Sequence, residues 1–115
     1  MRAGQVSSLG LLLSGVAGVL IPERVGTALE LSATSPRAIA ETRAGLGATY
    51  AALGGWAVLS NESAADVAVG VTWLGAAVVR LASLRVDKPR TTWTYWAFLA
   101  AELGFGTAAL ASAKR

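Results

Sequence analysis

Two ionisable side chains lie inside long apolar stretches of this sequence, where a charge is costly. Arg80 falls within residues 67–89, VAVGVTWLGAAVVRLASLRVDKP, and Glu102 falls near the middle of a second apolar stretch at residues 92–113. An unpaired charge at the centre of a bilayer costs about 2.5–3.5 kcal/mol on insertion scales. That cost predicts either an Arg80–Glu102 ion pair or a hydrated cavity.

The direction of the side chains favours the pair. At the helical rise of 1.5 Å per residue, Arg80 is expected about 6 Å below one membrane surface and Glu102 about 15 Å below the same surface. Side chains tilt toward the N-terminus of their own helix. In neighbouring antiparallel helices, Arg80 therefore tilts inward and Glu102 tilts outward, so that the two charges can meet.

Other polar residues are predicted at the same membrane face. Arg43 is directed toward the headgroups, and Glu41 is near enough to offset its charge. Tyr50 and Tyr95 are possible hydrogen-bond partners. The candidate intramembrane charge cluster therefore contains Arg80, Glu102, Arg43 and Glu41.

Three interpretations of this cluster remain open at the level of sequence. The Arg80–Glu102 pair can serve only to lock helix orientation. It can bind an anionic lipid or a small anion, or it can belong to a proton- or ion-coupled pathway. Since arginine keeps its proton in proteins, only Glu102 could titrate in such a pathway.

Composition excludes several kinds of chemistry. The chain has no cysteine and no histidine, which excludes disulfides, thiolate and histidine metal centres, a histidine general base and a cysteine nucleophile. Serine and threonine are scattered, and none lies beside a base. We therefore expect no enzyme activity, no metal and no cofactor.

The balance of apolar and charged residues is typical of a membrane protein. Of the 115 residues, 54% are hydrophobic and 15% are charged, whereas soluble domains carry about a quarter charged residues. The net charge of +3 indicates basic loops near lipid headgroups rather than nucleic-acid binding. The expected partners are the lipid bilayer and other membrane protein subunits or a second copy of this chain, with no nucleic acid.

The apolar runs predict an all-α, four-helix transmembrane bundle that forms a single domain over residues 1–115. The helices are expected at about residues 5–21, 36–60, 64–84 and 92–113, with short turns between the last three. Ser35 is the predicted N-cap before Pro36, and Ser63 with Asp66 is typical of a capping box. Residues 22–35 predict either a short interfacial helix or a polar loop.

The first helix follows Arg2, a pattern that also fits a signal peptide. Because no convincing cleavage site follows, we expect a retained span. With four crossings, both ends of the chain lie on one side of the membrane. The basic residues of the connections, Arg24, Arg37, Arg85, Lys88 and Arg90, lie on the other side. The positive-inside rule then places the basic connections in the cytoplasm and the ends outside.

Small residues predict the faces through which helices pack. Gly10, Ser14 and Gly18 recur every four residues in the first helix, as do Gly47, Ala51 and Gly55 in the second, a spacing common at helix contacts in membranes. The third helix is predicted to have two faces. One carries Val67, Val71, Leu74, Val78 and Leu81 toward lipid, and the other carries Trp73, Ala76, Ala77, Arg80 and Ser83 toward the bundle.

Two motifs resemble a family of small bacterial four-helix integral membrane proteins known as domain of unknown function 4345. AETRAxxG at residues 40–47 resembles the start of its second helix, and GxxxxRLxSLxxDxP at residues 75–89 resembles its third helix and following turn. Glu102 falls where the family carries an acid in its fourth helix. The resemblance covers about residues 36–110. It implies a four-helix integral membrane protein and no particular activity.

A second motif, AAELG at residues 100–104, is similar to the acidic substrate-binding motif of the small multidrug-resistance transporters. In that family the acid lies in the first helix, whereas Glu102 lies in the last predicted helix here.

The function expected from the sequence is that of a small, non-catalytic membrane protein. It would act through helix–helix contacts, as an accessory subunit of a membrane complex or as an oligomer. The alternative is a small transporter or a lipid- or anion-binding protein that uses an Arg80–Glu102 pocket. The expected location is the inner membrane of a bacterial cell.

Overall fold

The computed structural model describes residues 1–32 and 34–114, and this part of the chain is helical with no strand. The predicted all-α class is confirmed for these residues. The elements are α1 (Ala3–Leu20), α2 (Pro22–Ala28), α3 (Pro36–Glu41), a π-helical segment (Thr42–Ala48), α4 (Thr49–Ser60), α5 (Ser63–Val86) and α6 (Trp93–Ala113).

Three of the helices, α1, α5 and α6, are long and apolar enough to cross a membrane. The outward faces of α1 and α5 remain aliphatic in the folded chain. Leu13 of α1 and Val78 and Val79 of α5 each expose more than 60% of their surface. A soluble monomer rarely leaves such large apolar surfaces open to water.

Of the two alternatives left open, a short interfacial helix and a polar loop, the structure shows a helix for residues 22–28. The connection contains a helix, α2, with Pro22 at its first position, where the missing N–H of proline costs no hydrogen bond. Ser35 is the N-cap of α3, as predicted, and its hydroxyl accepts a hydrogen bond from the Ala38 N–H at 3.0 Å.

Helical backbone continues from Pro36 to Ser60, but it is not α-helical throughout. In the π-helical segment the turns are wider, so that the Thr49 N–H bonds to the carbonyl of Ala44, five residues earlier. The Thr49 hydroxyl donates to the same carbonyl at 3.1 Å. Propensity and periodicity assume α-helical spacing, so neither predicts this π-helical segment.

The predicted capping box at the start of α5 is wrong. Helix α5 begins at Ser63, and its N-cap residue is Glu62. Ser63 therefore lies inside the first turn rather than before it. The carboxylate of Asp66 bonds instead to Arg2, which lies 64 residues away in the chain.

The buried face of α1 differs from the predicted stripe of Gly10, Ser14 and Gly18, because Ser14 is exposed. Apart from Ser7, the buried residues alternate in steps of four and three: Gly4, Ser8, Leu11, Gly15 and Gly18. Repeated steps of four rotate by about 40° each around a helix, whereas alternating steps keep one face toward a neighbour. A fixed four-residue stripe therefore cannot remain in one straight contact.

The contact between α1 and the second helical stretch is close enough to need glycine. A Cβ atom at Gly15 would collide with the backbone of Gly47 and Ala51. The predicted stripe Gly47, Ala51 and Gly55 is therefore correct for its first two members. Its third member is replaced by Gly54, which packs on the backbone of α1, whereas a Cβ at Gly55 would meet only a leucine side chain at 3.8 Å.

Helix α5 packs along α6, with small residues where the two helices approach. A Cβ on Gly106 would lie 2.5 Å from the Leu74 side chain. Leu74 therefore contacts α6, and its predicted position on the lipid face is wrong. Ala76, predicted to face the bundle, is exposed. Val67, Val71, Val78 and Leu81 are exposed as predicted.

Candidate functional site

The two helices that carry Arg80 and Glu102 face each other along seams with the same alternating spacing. Steps of four and three position the side chains of a seam toward one neighbour over many turns. In α5 the seam contains Asp66, Gly70, Trp73, Ala77 and Arg80, and in α6 it contains Tyr95, Leu99, Glu102, Gly106 and Ala109. Arg80 and Glu102 are therefore opposite each other because of their position in these repeats.

The structure brings Arg80 and Glu102 together in a two-point ion pair. Nε of Arg80 donates to Oε1 of Glu102, and Nη2 donates to Oε2, both at 2.9 Å. The side chain of Glu102 is 8% exposed and that of Arg80 is 21% exposed. Two parallel charge-assisted hydrogen bonds fix orientation as well as distance.

Aromatic side chains of α6 surround the guanidinium. Its carbon lies 5.0 Å from the ring centroid of Tyr95 and 5.7 Å from that of Phe98, both within the range of cation–π attraction. The Tyr95 hydroxyl donates to the backbone carbonyl of Arg80 at 2.7 Å. Tyr95 is thus a hydrogen-bond partner of Arg80, and Phe98 is a second aromatic neighbour of the guanidinium.

The remaining members of the predicted cluster lie elsewhere. Arg43 donates through Nη1 to the carbonyl of Val19, near the end of α1. Glu41 lies 3.7 Å from the Nε of Arg37 one turn earlier, and the expectation that it offsets Arg43 is wrong, because residues two apart in a helix point to different faces.

Tyr50 is half-buried and packs against the apolar core. Among the residues that the structure describes, it forms no hydrogen bond with Arg80 or Glu102.

A second ion pair, missed by sequence reasoning, joins the beginning of α1 to α5. Nη1 of Arg2 lies 2.8 Å from Oδ2 of Asp66, and the Asp66 side chain is 1% exposed. The same nitrogen donates to the Ser112 hydroxyl at 2.8 Å, and Nη2 donates to the side-chain oxygen of Asn61. Arg2 therefore contacts the end of α4, the start of α5 and the end of α6.

One signal in the sequence could have indicated this second pair. Asp66 belongs to the same α5 seam as Arg80, so its side chain points toward the other helices and not only toward its own N-terminus. An acid on a packed face needs a cationic partner.

Between the two ion pairs, polar contacts link three helices near the centre of the molecule. The indole N–H of Trp73 in α5 donates to the carbonyl of Ser7 in α1 at 3.3 Å. The Ser7 hydroxyl donates to the carbonyl of Phe105 in α6 at 2.8 Å. The rings of Trp73 and Phe105 lie 5.2 Å apart. Such bonds orient helices where hydrophobic burial gives no preference.

Two open depressions in the described part of the chain have linings that include none of the four ion-pair residues. One of about 710 Å³ lies between α2 and α3 and includes Glu23, Glu30 and Ile39 in its lining. A shallow apolar groove of about 400 Å³ lies between α1 and α6, beside Gly104 and Phe105. No group of three or more metal-ligating side chains lies together in the parts of the chain described.

Because Arg80 and Glu102 are bonded to each other and largely buried, little of their hydrogen-bonding capacity is open to another molecule. Each oxygen of the Glu102 carboxylate accepts a hydrogen bond from Arg80, and the charges neutralise each other. A buried pair of this kind holds two helices in register. A substrate could reach Glu102 only by displacing Arg80.

Comparisons with known proteins find no match for this chain. No protein-family model matches it, and neither do the curated proteins or the solved structures. The resemblance carried by residues 40–47 and 75–89 therefore depends on those motifs alone and remains a hypothesis.

Proposed function

We propose that this chain is a four-helix integral membrane protein that acts without catalytic chemistry. In this proposal it works through contacts between its helices and those of other membrane proteins or of a second copy. The helical stretch from Pro36 to Ser60 forms the crossing between α1 and α5. One observation carries the proposal: the buried charges of the apolar helices, Asp66, Arg80 and Glu102, are paired inside the molecule, while the outer faces of α1 and α5 are aliphatic.

The polarity of the molecule supports membrane insertion. Asp66 and Glu102 are among the most buried side chains, and Val78, Val79 and Leu103 are exposed. A soluble helical protein has the opposite arrangement, with apolar residues inside and charges outside. Trp93 is 79% exposed at the beginning of α6, where an interfacial indole would contact the headgroups.

The outer face of α6 supports association with another helix. Beside the exposed Trp93, Trp96 and Leu103, this face carries exposed small residues that alternate in steps of three and four: Ala97, Ala100, Gly104, Thr107 and Ala111. A Cβ at Gly104 would meet no atom within 4 Å. Small residues at such spacing allow two helix backbones to approach closely in a bilayer.

The test is the oligomeric state of the protein in lipid bilayers. We expect self-association or co-purification with a defined membrane protein, and we expect Gly104→Leu to weaken it. Gly75→Leu is the matched control, because Gly75 is equally open but lies on α5. A protein that stays monomeric at every protein-to-lipid ratio and co-purifies with nothing would contradict the proposal.

The alternative is a small transporter or a lipid- or anion-binding protein that uses the Arg80–Glu102 site. One observation favours it: Nη1 of Arg80 has no hydrogen-bond partner among the described residues, and the side chain is 21% exposed. Glu102→Gln would free part of the guanidinium and alter the binding of inorganic phosphate, measured by calorimetry. Unchanged binding or transport would count against this alternative.

With the resemblance described above, we place the protein in the inner membrane of a bacterial cell. The basic connections face the cytoplasm in this proposal. Because the chain has no cysteine, single cysteines report orientation directly. Ser32→Cys should react with an impermeant thiol reagent only from the cytoplasmic side, and Glu62→Cys only from the outside. The reverse pattern would invert the orientation.

A further inference from the structure

The positive charge of the side that carries the two connections is concentrated in one turn. Outside the turn between α5 and α6, the charges on this side balance, with Glu23, Glu30 and Glu41 against Arg24, Arg37 and Arg43. The turn itself, RVDKPR at residues 85–90, has three cations and one acid. The excess positive charge of this side therefore lies between α5 and α6.

The three cations of this turn are exposed and unpaired. Arg85, Lys88 and Arg90 are exposed, and none has an ion-pair partner within 4.0 Å among the described residues. Asp87 is part of the same turn but does not neutralise them. By contrast, Arg2 and Arg80 are paired with acids.

The backbone holds the cations in a defined arrangement. The N–H groups of Asp87 and Lys88 both donate to the carbonyl of Ser83, at 2.8 and 3.1 Å. This arrangement ends α5 and requires the left-handed conformation at Lys88, whose φ is 49°. Glycine is the usual residue at such a position. Lysine at this position adds a third positive charge to the turn, although its side chain makes the left-handed backbone less favourable than it is for glycine.

Exposed apolar and aromatic residues flank the cations. Val86 and Trp93 are each 79% exposed, and Trp96 is 48% exposed. Tryptophan at the end of a membrane helix lies at the level of the headgroups, and basic residues beside it are attracted to anionic lipid. An exposed indole also suits a protein interface, but Trp93 begins a helix that is long and apolar enough to cross a membrane, and this position favours lipid.

We propose that the turn formed by residues 85–90, together with Trp93, is a binding site for the headgroup of an anionic phospholipid. This inference rests on the proposed membrane insertion. The guanidinium groups and the ammonium of Lys88 contact the phosphate, and the tryptophan anchors the turn at the interface. The site is separate from the Arg80–Glu102 pair, whose carboxylate is enclosed.

The test uses quenching of tryptophan fluorescence by brominated lipids in reconstituted vesicles. Brominated phosphatidylcholine measures contact with lipid, and the added effect of brominated phosphatidylglycerol measures preference for an anionic headgroup. We expect the full-length protein to prefer phosphatidylglycerol, and we expect each neutralised cation to lower the preference by up to about fivefold. The preference should also fall as salt is added.

The variants separate charge from folding. Lys88→Gly removes a charge and suits the left-handed backbone, so a loss of preference in this variant cannot reflect a damaged turn. The triple variant R85Q/K88G/R90Q should have no preference, while R24Q/R37Q on the same side should keep it.

Each outcome of this test is informative. No quenching by either lipid would overturn both membrane insertion and the site. Equal quenching by the two lipids would overturn the site alone. If the triple variant keeps the preference for phosphatidylglycerol, the lipid contact lies elsewhere in the protein. If the protein binds an acidic protein and has no lipid preference, the turn binds a protein partner instead.

Discussion

The two buried ion pairs have the same chemistry but join different parts of the chain. Arg80 and Glu102 connect α5 and α6, which the turn at residues 85–90 already makes neighbours. Arg2 and Asp66 connect the start of α1 to α5, with further bonds from Arg2 to the ends of α4 and α6. The first pair joins two adjacent helices, whereas the second joins helix ends that are distant in sequence.

The surroundings of the two pairs differ as well. Arg80 lies six residues before the end of α5, about 9 Å along the helix, with Tyr95 and Phe98 around it. Asp66 lies three residues after the start of α5, about 4.5 Å along the helix, among polar partners. An unpaired charge is more costly at the first site, since fewer polar groups can replace the lost partner.

The largest effect is expected when Glu102 loses its partner. Arg80→Leu leaves a nearly enclosed carboxylate without a cation, and we expect the free energy of unfolding to fall by about 3–5 kcal/mol. The measurement is reversible unfolding in mixed micelles. Glu102→Leu should cost less, because Arg80 is partly exposed and its long side chain would reach the headgroups in the proposed membrane-inserted protein. Equal losses in the two variants would contradict this asymmetry.

A smaller loss is expected at the second pair. Asp66→Asn removes the charge but keeps the shape, and Arg2 is 29% exposed, so it can turn to water. We expect a loss of about 1.5 kcal/mol, the lower end for hydrogen bonds to charged groups. Glu62→Gln, in the exposed turn before α5, is the control and should leave the free energy of unfolding unchanged. A loss as large as that of Arg80→Leu would remove the distinction between the pairs.

Removing one hydroxyl group measures how much the hydrogen bond from Tyr95 to Arg80 contributes to the free energy of unfolding. Tyr95→Phe keeps the ring near Arg80 and removes the hydrogen bond to its carbonyl, so we expect a loss of about 1 kcal/mol. Tyr50→Phe is the control, as the Tyr50 hydroxyl has no hydrogen-bond partner in the described part of the chain. The comparison fails if the two variants unfold at the same denaturant concentration.

The smallest effect is expected for the exposed pair of Arg37 and Glu41. Both side chains are more than 60% exposed, and pairs one turn apart on a helix surface contribute about 0.3–0.5 kcal/mol. Arg37→Ala should therefore shift the melting temperature by little, measured by circular dichroism. A large shift in melting temperature would show that exposed and buried ion pairs contribute equally to stability in this protein.

Sequence reasoning reached the first pair and missed the second for a physical reason. Arg80 and Glu102 lie in helices joined by a short turn, so helical spacing and side-chain tilt are enough to bring them together. Arg2 and Asp66 are 64 residues apart, and each had a local explanation, as a basic residue before an apolar run and as a helix cap. Local patterns do not specify which distant helix ends meet.

As with the ion pairs, the sequence predicted some of the helix contacts and missed others. Small residues correctly marked Gly18, Gly47 and Ala51 as contact positions, because only such residues allow two backbones to approach. The error at Ser14 arose from a fixed step of four, which drifts around the helix. The π-helical segment adds one residue to a turn and lies against Gly15 and Gly18, a long-range contact that local propensity does not specify.

The measurement that tests the central claim most directly is a double-mutant cycle of Arg80→Leu and Glu102→Leu in lipid bilayers. If the pair is an internal lock, the double variant should recover most of the stability lost by Arg80→Leu, since no buried charge remains. The coupling free energy should then be about 2–3 kcal/mol. Additive losses, within about 0.5 kcal/mol, would show that the two side chains act separately and would contradict the account.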